Sequence, residues 1–310
     1  MKASVIIATY RRNDSLENTI RSVLLQDYPD FELLVVDQSD NHTPEAEKFL
    51  RTLDDPRYSY FLIAPPSLPA ARNFGLARSS GEIVIYIDDD VLLDPDFIRA
   101  HVKAHGETER LAAVGGRVRT TGEAASTHLF AFSSDGTWSG GYDFPEPADI
   151  ETARGCNMSF RRSALEKIGG FDPSYEKNAL REETDVCFRL RRRGYQIRFD
   201  PLASIEHLIL TDGGCRDADL WGNSYIYQNE TLFHVKNMGL RLFILFFFRT
   251  LTNRVLPHKR SRYFWTRLRV FCAGIIRGIW LAFFPKKLKP KVVWQSNQKQ
   301  PSKSSFHQQP

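Results

Sequence analysis

The chain has 310 residues, 42% hydrophobic and 25% charged, which is ordinary for a globular protein and enough for one large or two modest domains with a real core. Its net charge of +5 conceals an uneven split: residues 231–310 hold 16 Lys and Arg and no acid, leaving 26 basic against all 37 acidic residues in 1–230. An acidic body with a basic tail points to a binding or catalytic domain followed by a segment that meets something anionic, and nucleic acid is not among the expected partners.

The first 120 residues alternate strand and helix signals. Ser4 to Thr9 is a β-branched apolar run, hence a buried strand, and too short an apolar stretch for a secretory signal. Asn13 or Asp14 can cap a helix running to about Gln26, with Pro29 beyond it. Phe31 to Val36 reads as a second strand ending on Asp37. A helix follows it, then Tyr58 to Ile63 as a third strand, about Leu68 to Arg78 as a helix, and Ile83 to Ile87 as a fourth strand after the Gly81 turn. This order predicts a mostly parallel, doubly wound α/β sheet with helices on both faces, in which ligands bind beyond the carboxyl ends of the strands. Residues 120–150 are rich in Gly, Ser, Thr and Pro and read as a loop-rich stretch near the site. Beyond them Ser163 is a candidate cap for a short helix, GGFD a turn, Glu182 to Arg193 a helix, and Tyr195 to Phe199 a strand. Cys156, Cys187, Cys215 and Cys272 form no CxxC pair, so a zinc or disulfide framework is not expected and a reducing compartment is.

The sharpest feature is IVIYIDDDV, where an apolar strand delivers Asp88, Asp89 and Asp90 to a sheet edge. In extended chain Asp88 and Asp90 point to one side, and two hard oxygen donors at that spacing suit Mg2+ or Mn2+ bridging a diphosphate. The competing reading is a solvated acidic turn with Asp94 capping the next helix.

Five ordered blocks, SVIIATYRR, VVDQSD, LPAARNFGLARSSGEIVIYIDDDV, GCNMSFRRSALEKIGGFDPSY and REETDVCFRLRRRGY, resemble the inverting glycosyltransferases of family 2, which have the GT-A fold. The resemblance spans residues 3–210. It implies a nucleotide-diphosphate sugar as donor, a divalent metal (Mn2+ or Mg2+) as cofactor, and a glycan or lipid-linked acceptor, as in surface polysaccharide assembly. It places Thr9, Tyr10 and Arg12 at the nucleotide, Tyr10 stacking on a base and Arg12 meeting phosphate. Asp37 is put on the base, although Gln38 stands where many members have a second acid. Arg72 and Asn73 would flank the donor, with the Arg72 guanidinium balancing diphosphate charge. Asp90 is the favoured metal ligand, Asp88 a ribose or second metal contact, and Asp89 faces away or bonds the loop. His207, in SIEHL, is a candidate third metal ligand. Glu183 inherits the role of catalytic base, with Asp185 as a rival. Gly155 in GCNMSF would allow close backbone approach.

The tail contains RLFILFFFR (Arg241 to Arg249) and LRVFCAGIIRGIWLAFF (Leu268 to Phe284), neither a clean span of about 20 apolar residues. With Trp265, Trp280, Lys286, Lys287 and Lys289 nearby, this basic, apolar helical segment reads as peripheral or re-entrant on an anionic membrane at the cytoplasmic face, separable from the body. The expected division is a GT-A catalytic domain at 1–230, the membrane-associating segment at 231–295 and a disordered tail at 296–310. The alternatives are a nucleotidyltransferase of sugar phosphates and a non-catalytic nucleotide-sugar-binding membrane protein. ATYRRND lacks the Gly-rich loop of the first, and the intact set Asp37, Asp88, Asp90 and Glu183 argues against the second.

Overall fold

The computed structural model describes residues 1–133, 137–208, 210, 224–259 and 263–296. Cys215 lies outside them, as does the expected disordered tail from residue 297 onward.

In chain order the elements are β1 (Ala3–Thr9), α1 (Asp14–Leu24), β2 (Phe31–Asp37), α2 (Pro44–Thr52), β3 (Tyr58–Ala64), α3 (Leu68–Arg78), β4 (Ile83–Ile87), β5 (Val91–Leu93) and α4 (Phe97–Gly106). There follow β6 (Leu111–Thr120), the short β7 (Ala131–Phe132), β8 (Trp138–Ser139) and β9 (Ala148–Asp149), then β10 (Asn157–Arg161), α5 (Arg162–Lys167), α6 (Glu182–Arg191) and β11 (Gln196–His207). The C-terminal part holds α7 (Ser224–Phe233), α8 (Gly239–Thr250), α9 (Phe264–Phe283) and β12 (Lys291–Gln295).

The main sheet runs β12-β3-β2-β1-β4-β10-β6-β11-β5, with β9 beside β11. β3, β2, β1 and β4 are parallel, as their near-continuous apolar runs require: every residue of IVIYI in β4 is buried. β10 is antiparallel to both β4 and β6, so the expected mostly parallel sheet is a mixed one. β5, β6 and β12 are additional strands. The short helix begins at Arg162 with Arg161 as its cap, so Ser163 lies inside it.

The C-terminal segment is built into the body. α7 runs through residue 230, so the expected boundary falls inside a helix, and α7 packs on α9. Gly274 and Gly278, four residues apart, face α7; a Cβ on Gly278 would lie 2.6 Å from Gln228 O and from Thr231 Cβ. Two glycines on one helix face let the backbones approach this closely. Residues 291–295, expected to be helical, instead add an edge strand antiparallel to β3. Among the described residues one continuous helical run, Ser224–Val255, has the length and composition to cross a membrane, but Ile226 through Phe233 are buried in protein.

Candidate active site

Strand register builds the site. β1 and β4 are parallel with Ile7 opposite Ile87, so Thr9 stands level with the acidic turn, and its hydroxyl donates to Asp89 Oδ2 at 2.6 Å. β11 runs antiparallel to β5 with His207 opposite Val91, which brings His207 Nε2 to 3.1 Å from Asp90 Oδ1. A cavity of about 210 Å³ opens here, lined among others by Thr9, Tyr10, Arg12, Asp88, Asp89 and Asn178.

Three adjacent carboxylates repel one another, and the nearest cation is drawn in. Arg12, expected at phosphate, is turned onto the acids: Nη2 lies 3.1 Å from Asp90 Oδ2 and Nε 3.3 Å from Asp89 Oδ1, all three side chains being buried. Burial pushes the Asp89 carboxyl up to about 7 despite the Thr9 hydrogen bond and Arg12. Asp88 is the most open of the three at 38%. Asp88, Cys156 and His207 offer ligand atoms all within 4.8 Å of one another.

Arg72 joins this turn to the start of α6. Its guanidinium pairs with Glu182, donates to Gly155 O at 2.9 Å and lies 3.6 Å from Asp88 Oδ1, with Phe171 beneath it at 5.5 Å. Gly155 permits this approach, since a Cβ there would stand 3.3 Å from Nη2. Glu183 follows Glu182 in the first turn of α6, and burial raises its pKa despite the nearby Arg181 and Arg72.

The model of the family described as "Glycosyl transferase family 2" matches residues 4–169. The chain belongs to glycosyltransferase family 2. It is 28% identical over 219 residues to the glucosyl-dolichyl phosphate glucuronosyltransferase of Haloferax volcanii, covering 67% of this chain and 69% of that protein. It is 27% identical over 213 residues to the probable glycosyltransferase YdaM of Bacillus subtilis, covering 65% of this chain and 49% of the relative. The fold matches the Pyrobaculum calidifontis mannosyltransferase PcManGT, solved with GDP-Man and Mn2+, at a TM-score of 0.56 and 19% identity over 90% of this chain and 87% of that one. The fold is thus GT-A, with a mixed central sheet between helices.

Within this family 2 enzyme, several residues stand differently from the sequence expectation. Asp37 is wholly buried: Oδ1 accepts from Ser39 N (2.8 Å), Oδ2 from His42 Nε2 (2.5 Å) and Tyr60 OH (2.7 Å). Burial pushes its pKa up, but these bonds, His42 foremost, hold it below the ordinary carboxylate value. Asp37 therefore offers no surface for a base contact, and Gln38 lines the cavity in its place. Asn73, expected beside the donor, is committed to the Gly170 turn: Nδ2 donates to Phe171 O (2.7 Å) and Oδ1 accepts from Phe171 N (2.8 Å).

Asp185, the rival base, stands in surroundings that pair it rather than open it to an acceptor. It is fully buried, with Oδ2 2.7 Å from Arg189 Nε and Oδ1 accepting from Asn237 Nδ2 at 2.8 Å. Burial raises its pKa, yet Arg189, Lys236 and Asn237 pull it below the usual range. It anchors the C-terminal segment. Tyr10 lines the cavity, with Arg11 4.9 Å over its ring. Asn178 and the His42–Tyr60 clasp carry no local sequence signal, because each is defined by partners elsewhere in the chain, whereas Glu182 stands in the REETDV block beside Glu183 and only its pairing with Arg72 is hidden from the sequence. Cys156 does sit inside the quoted GCNMSF block, though as a buried thiol pushed up to about 12 by desolvation.

Proposed function

We propose that this glycosyltransferase moves a sugar from a nucleoside-diphosphate sugar to a hydroxyl of a lipid-linked or membrane-proximal glycan, inverting the anomeric centre. The observation that carries the reading is the Arg72 guanidinium, which ties the metal-type carboxylate Asp88 to the acid pair that opens α6. Donor-side and acceptor-side chemistry therefore share one buried cation.

The donor set fits a divalent ion. Asp88 and Asp90 supply hard oxygens and His207 an imidazole nitrogen, on a turn where Arg12 offsets Asp89 and Asp90 and Arg72 stands near Asp88. Oxygen donors admit either ion, whereas the added imidazole, with the Cys156 sulfur within 4.8 Å, favours Mn2+ over Mg2+. When bound, the ion would offset the charge of the departing diphosphate. Arg72 adds a second positive charge beside that position. Glu183, its pKa raised by burial, accepts the proton of the acceptor hydroxyl as that oxygen attacks the anomeric carbon. One displacement from the face opposite the leaving group needs no covalent enzyme intermediate. The PcManGT complex with GDP-Man and Mn2+ and the dolichyl-phosphate relative support the donor, metal and lipid assignments.

The membrane contact would come from α8 and α9. Leu240, Ile244 and Phe248 on α8, and Trp265, Ile276, Trp280 and Phe283 on α9, are exposed, while Phe271, Gly274, Ile275 and Gly278 face protein. This apolar ridge, set among basic residues and facing away from the body, suits peripheral docking on the anionic cytoplasmic leaflet.

The test is release of nucleoside diphosphate from UDP-, GDP- and dTDP-sugars with Mn2+ or Mg2+, with the anomeric configuration of the product read by proton NMR. Retained configuration, or full turnover in excess chelator, overturns the mechanism. Co-sedimentation with anionic vesicles should fall when Trp265 and Trp280 become Ser; unchanged sedimentation overturns the docking face.

A further inference from the structure

Residues 174–181 join the Gly170 turn to α6 and contribute Asn178 to the wall of the cavity that also holds Thr9, Tyr10 and the acidic turn. We propose that Glu176 is a positioning residue: it latches this loop to α7 and α9 and thereby holds Asn178 over the donor position. The inference rests on the donor-site reading above.

The latch is a convergence of donors from two helices on one side chain. Glu176 Oε1 lies 2.6 Å from Lys286 Nζ, just beyond α9. Oε2 lies 2.7 Å from Arg277 Nη2 on α9 and accepts from Gln228 Nε2 on α7 at 3.1 Å. The backbone is held as well, because Asn229 takes both polar groups of Glu176: its Oδ1 accepts from Glu176 N (3.2 Å) and its Nδ2 donates to Glu176 O (2.9 Å). The same Nδ2 reaches Asn178 Oδ1 at 3.3 Å, and Leu180 N donates to that oxygen at 3.3 Å. With its oxygen so occupied, the Nδ2 donor of Asn178 is the group left to meet a ligand.

Backbone strain explains why a latch is needed. Lys177 (φ 58°), Ala179 (φ 49°) and Arg181 (φ 75°) all occupy the left-handed region without being glycine. Such residues persist only where the surroundings over-determine them. Apolar anchors flank the latch: Tyr175 and Ala179 pack with Leu232 and Phe233 of α7 and Leu281 of α9. Farther on, Arg181 pairs with Glu230 of α7 at 3.0 Å and lies 4.3 Å over Trp138. Loss of Glu176 should therefore loosen the segment between these anchors, where Asn178 lies, and leave the fold standing. Arg277 sits on α9 between the exposed Ile276 and Trp280, so the latch joins the outward ridge to the cavity wall.

Two measurements on the full chain test this. Hydrogen exchange of residues 174–181 should quicken in Glu176→Ala and equally in the double variant Arg277→Ala/Lys286→Ala, which leaves the loop sequence intact. Glu176→Gln should lie between these and wild type. Calorimetric titration with UDP and with GDP, in Mn2+, should show affinity falling about tenfold in Glu176→Ala and in Asn178→Ala, the worth of one hydrogen bond. Glu176→Ala should then cost nothing further in the Asn178→Ala background, because the two act through one contact. Unchanged exchange in both latch variants overturns the proposal. So does faster exchange with unaltered nucleotide affinity, or full additivity of the two substitutions. A wild-type protein that binds neither nucleotide overturns the donor-site reading itself, and with it the role given to the latch.

Discussion

Replacement of Arg72 by Ala should destabilise this enzyme far more than loss of a surface ion pair. The side chains of Arg72 and Glu182 are 3% and 2% exposed, so solvent screens their interaction little. Truncation leaves the Glu182 carboxylate buried without its cation and removes the donor to Gly155 O. Breaking a buried pair from one side costs about 3–5 kcal/mol. Because Glu182 sits in the first turn of α6, the helix dipole offsets roughly 0.3–1 kcal/mol of that. The expected loss is therefore about 2–5 kcal/mol, a large part of the roughly 5–15 kcal/mol that holds a typical domain together. Glu182→Gln leaves an uncharged partner and should cost less. In the double variant the two effects should fall short of their sum by about 1–3 kcal/mol. Equilibrium urea unfolding of wild type, both single variants and the double variant supplies the four corners of the cycle. Additivity within about 0.5 kcal/mol, or an Arg72→Ala loss below about 1 kcal/mol, would refute the buried bridge and the link it makes between the two halves of the site.

Glu183→Gln should lower turnover by roughly 10²–10⁴ with donor binding near normal. Since burial raises the Glu183 pKa and the base must be unprotonated, the acid limb of the wild-type rate profile should lie above the ordinary carboxylate range; a limb at ordinary values contradicts the assignment. Asp185→Asn should instead lower the urea midpoint through lost pairing with Arg189 and Lys236, and selective loss of turnover in a stable Asp185→Asn protein would restore it as the base. Asp90→Ala should abolish divalent-dependent turnover, and His207→Ala should raise the Mn2+ concentration needed; full activity of Asp90→Ala in Mn2+ would remove it from the metal site. His101 and His105, buried on α4 and bonded to Ser159 on β10, are pushed by desolvation down to about 4 and about 3. Their neutral forms are the native ones, so the stability they support is complete above about pH 6.5 and lost as pH falls toward those values, by up to about tenfold in the folding constant per pH unit per histidine. Asp89, pushed up to about 7, acts in the opposite sense between about pH 7 and 4, so the readout is the difference between wild type and His105→Gln. Identical pH dependence of the two would contradict a buried neutral His105.

The strand and helix order of the first 87 residues, and the carboxylates at the strand ends, were legible in the sequence. Buried parallel strands are short continuous apolar runs, and the turns between them are marked by local residues such as Gly81 and Pro29. The acidic turn and α6 were legible for the same reason, since each is a contiguous block. Which acids remain available for chemistry was decided only by tertiary contacts. Asp37 is taken by His42 and Tyr60, Asp185 by Asn237, and Arg12 by Asp89 and Asp90, through partners 5 to 78 positions away. The tail shows the same limit. Its composition marked a basic, apolar segment but said nothing of the edge strand on β3 or of the grip on Glu176, which spans 110 residues to Lys286. Local pattern records what a residue prefers in its own element, whereas a buried charge is set by whichever group the fold brings within hydrogen-bond reach.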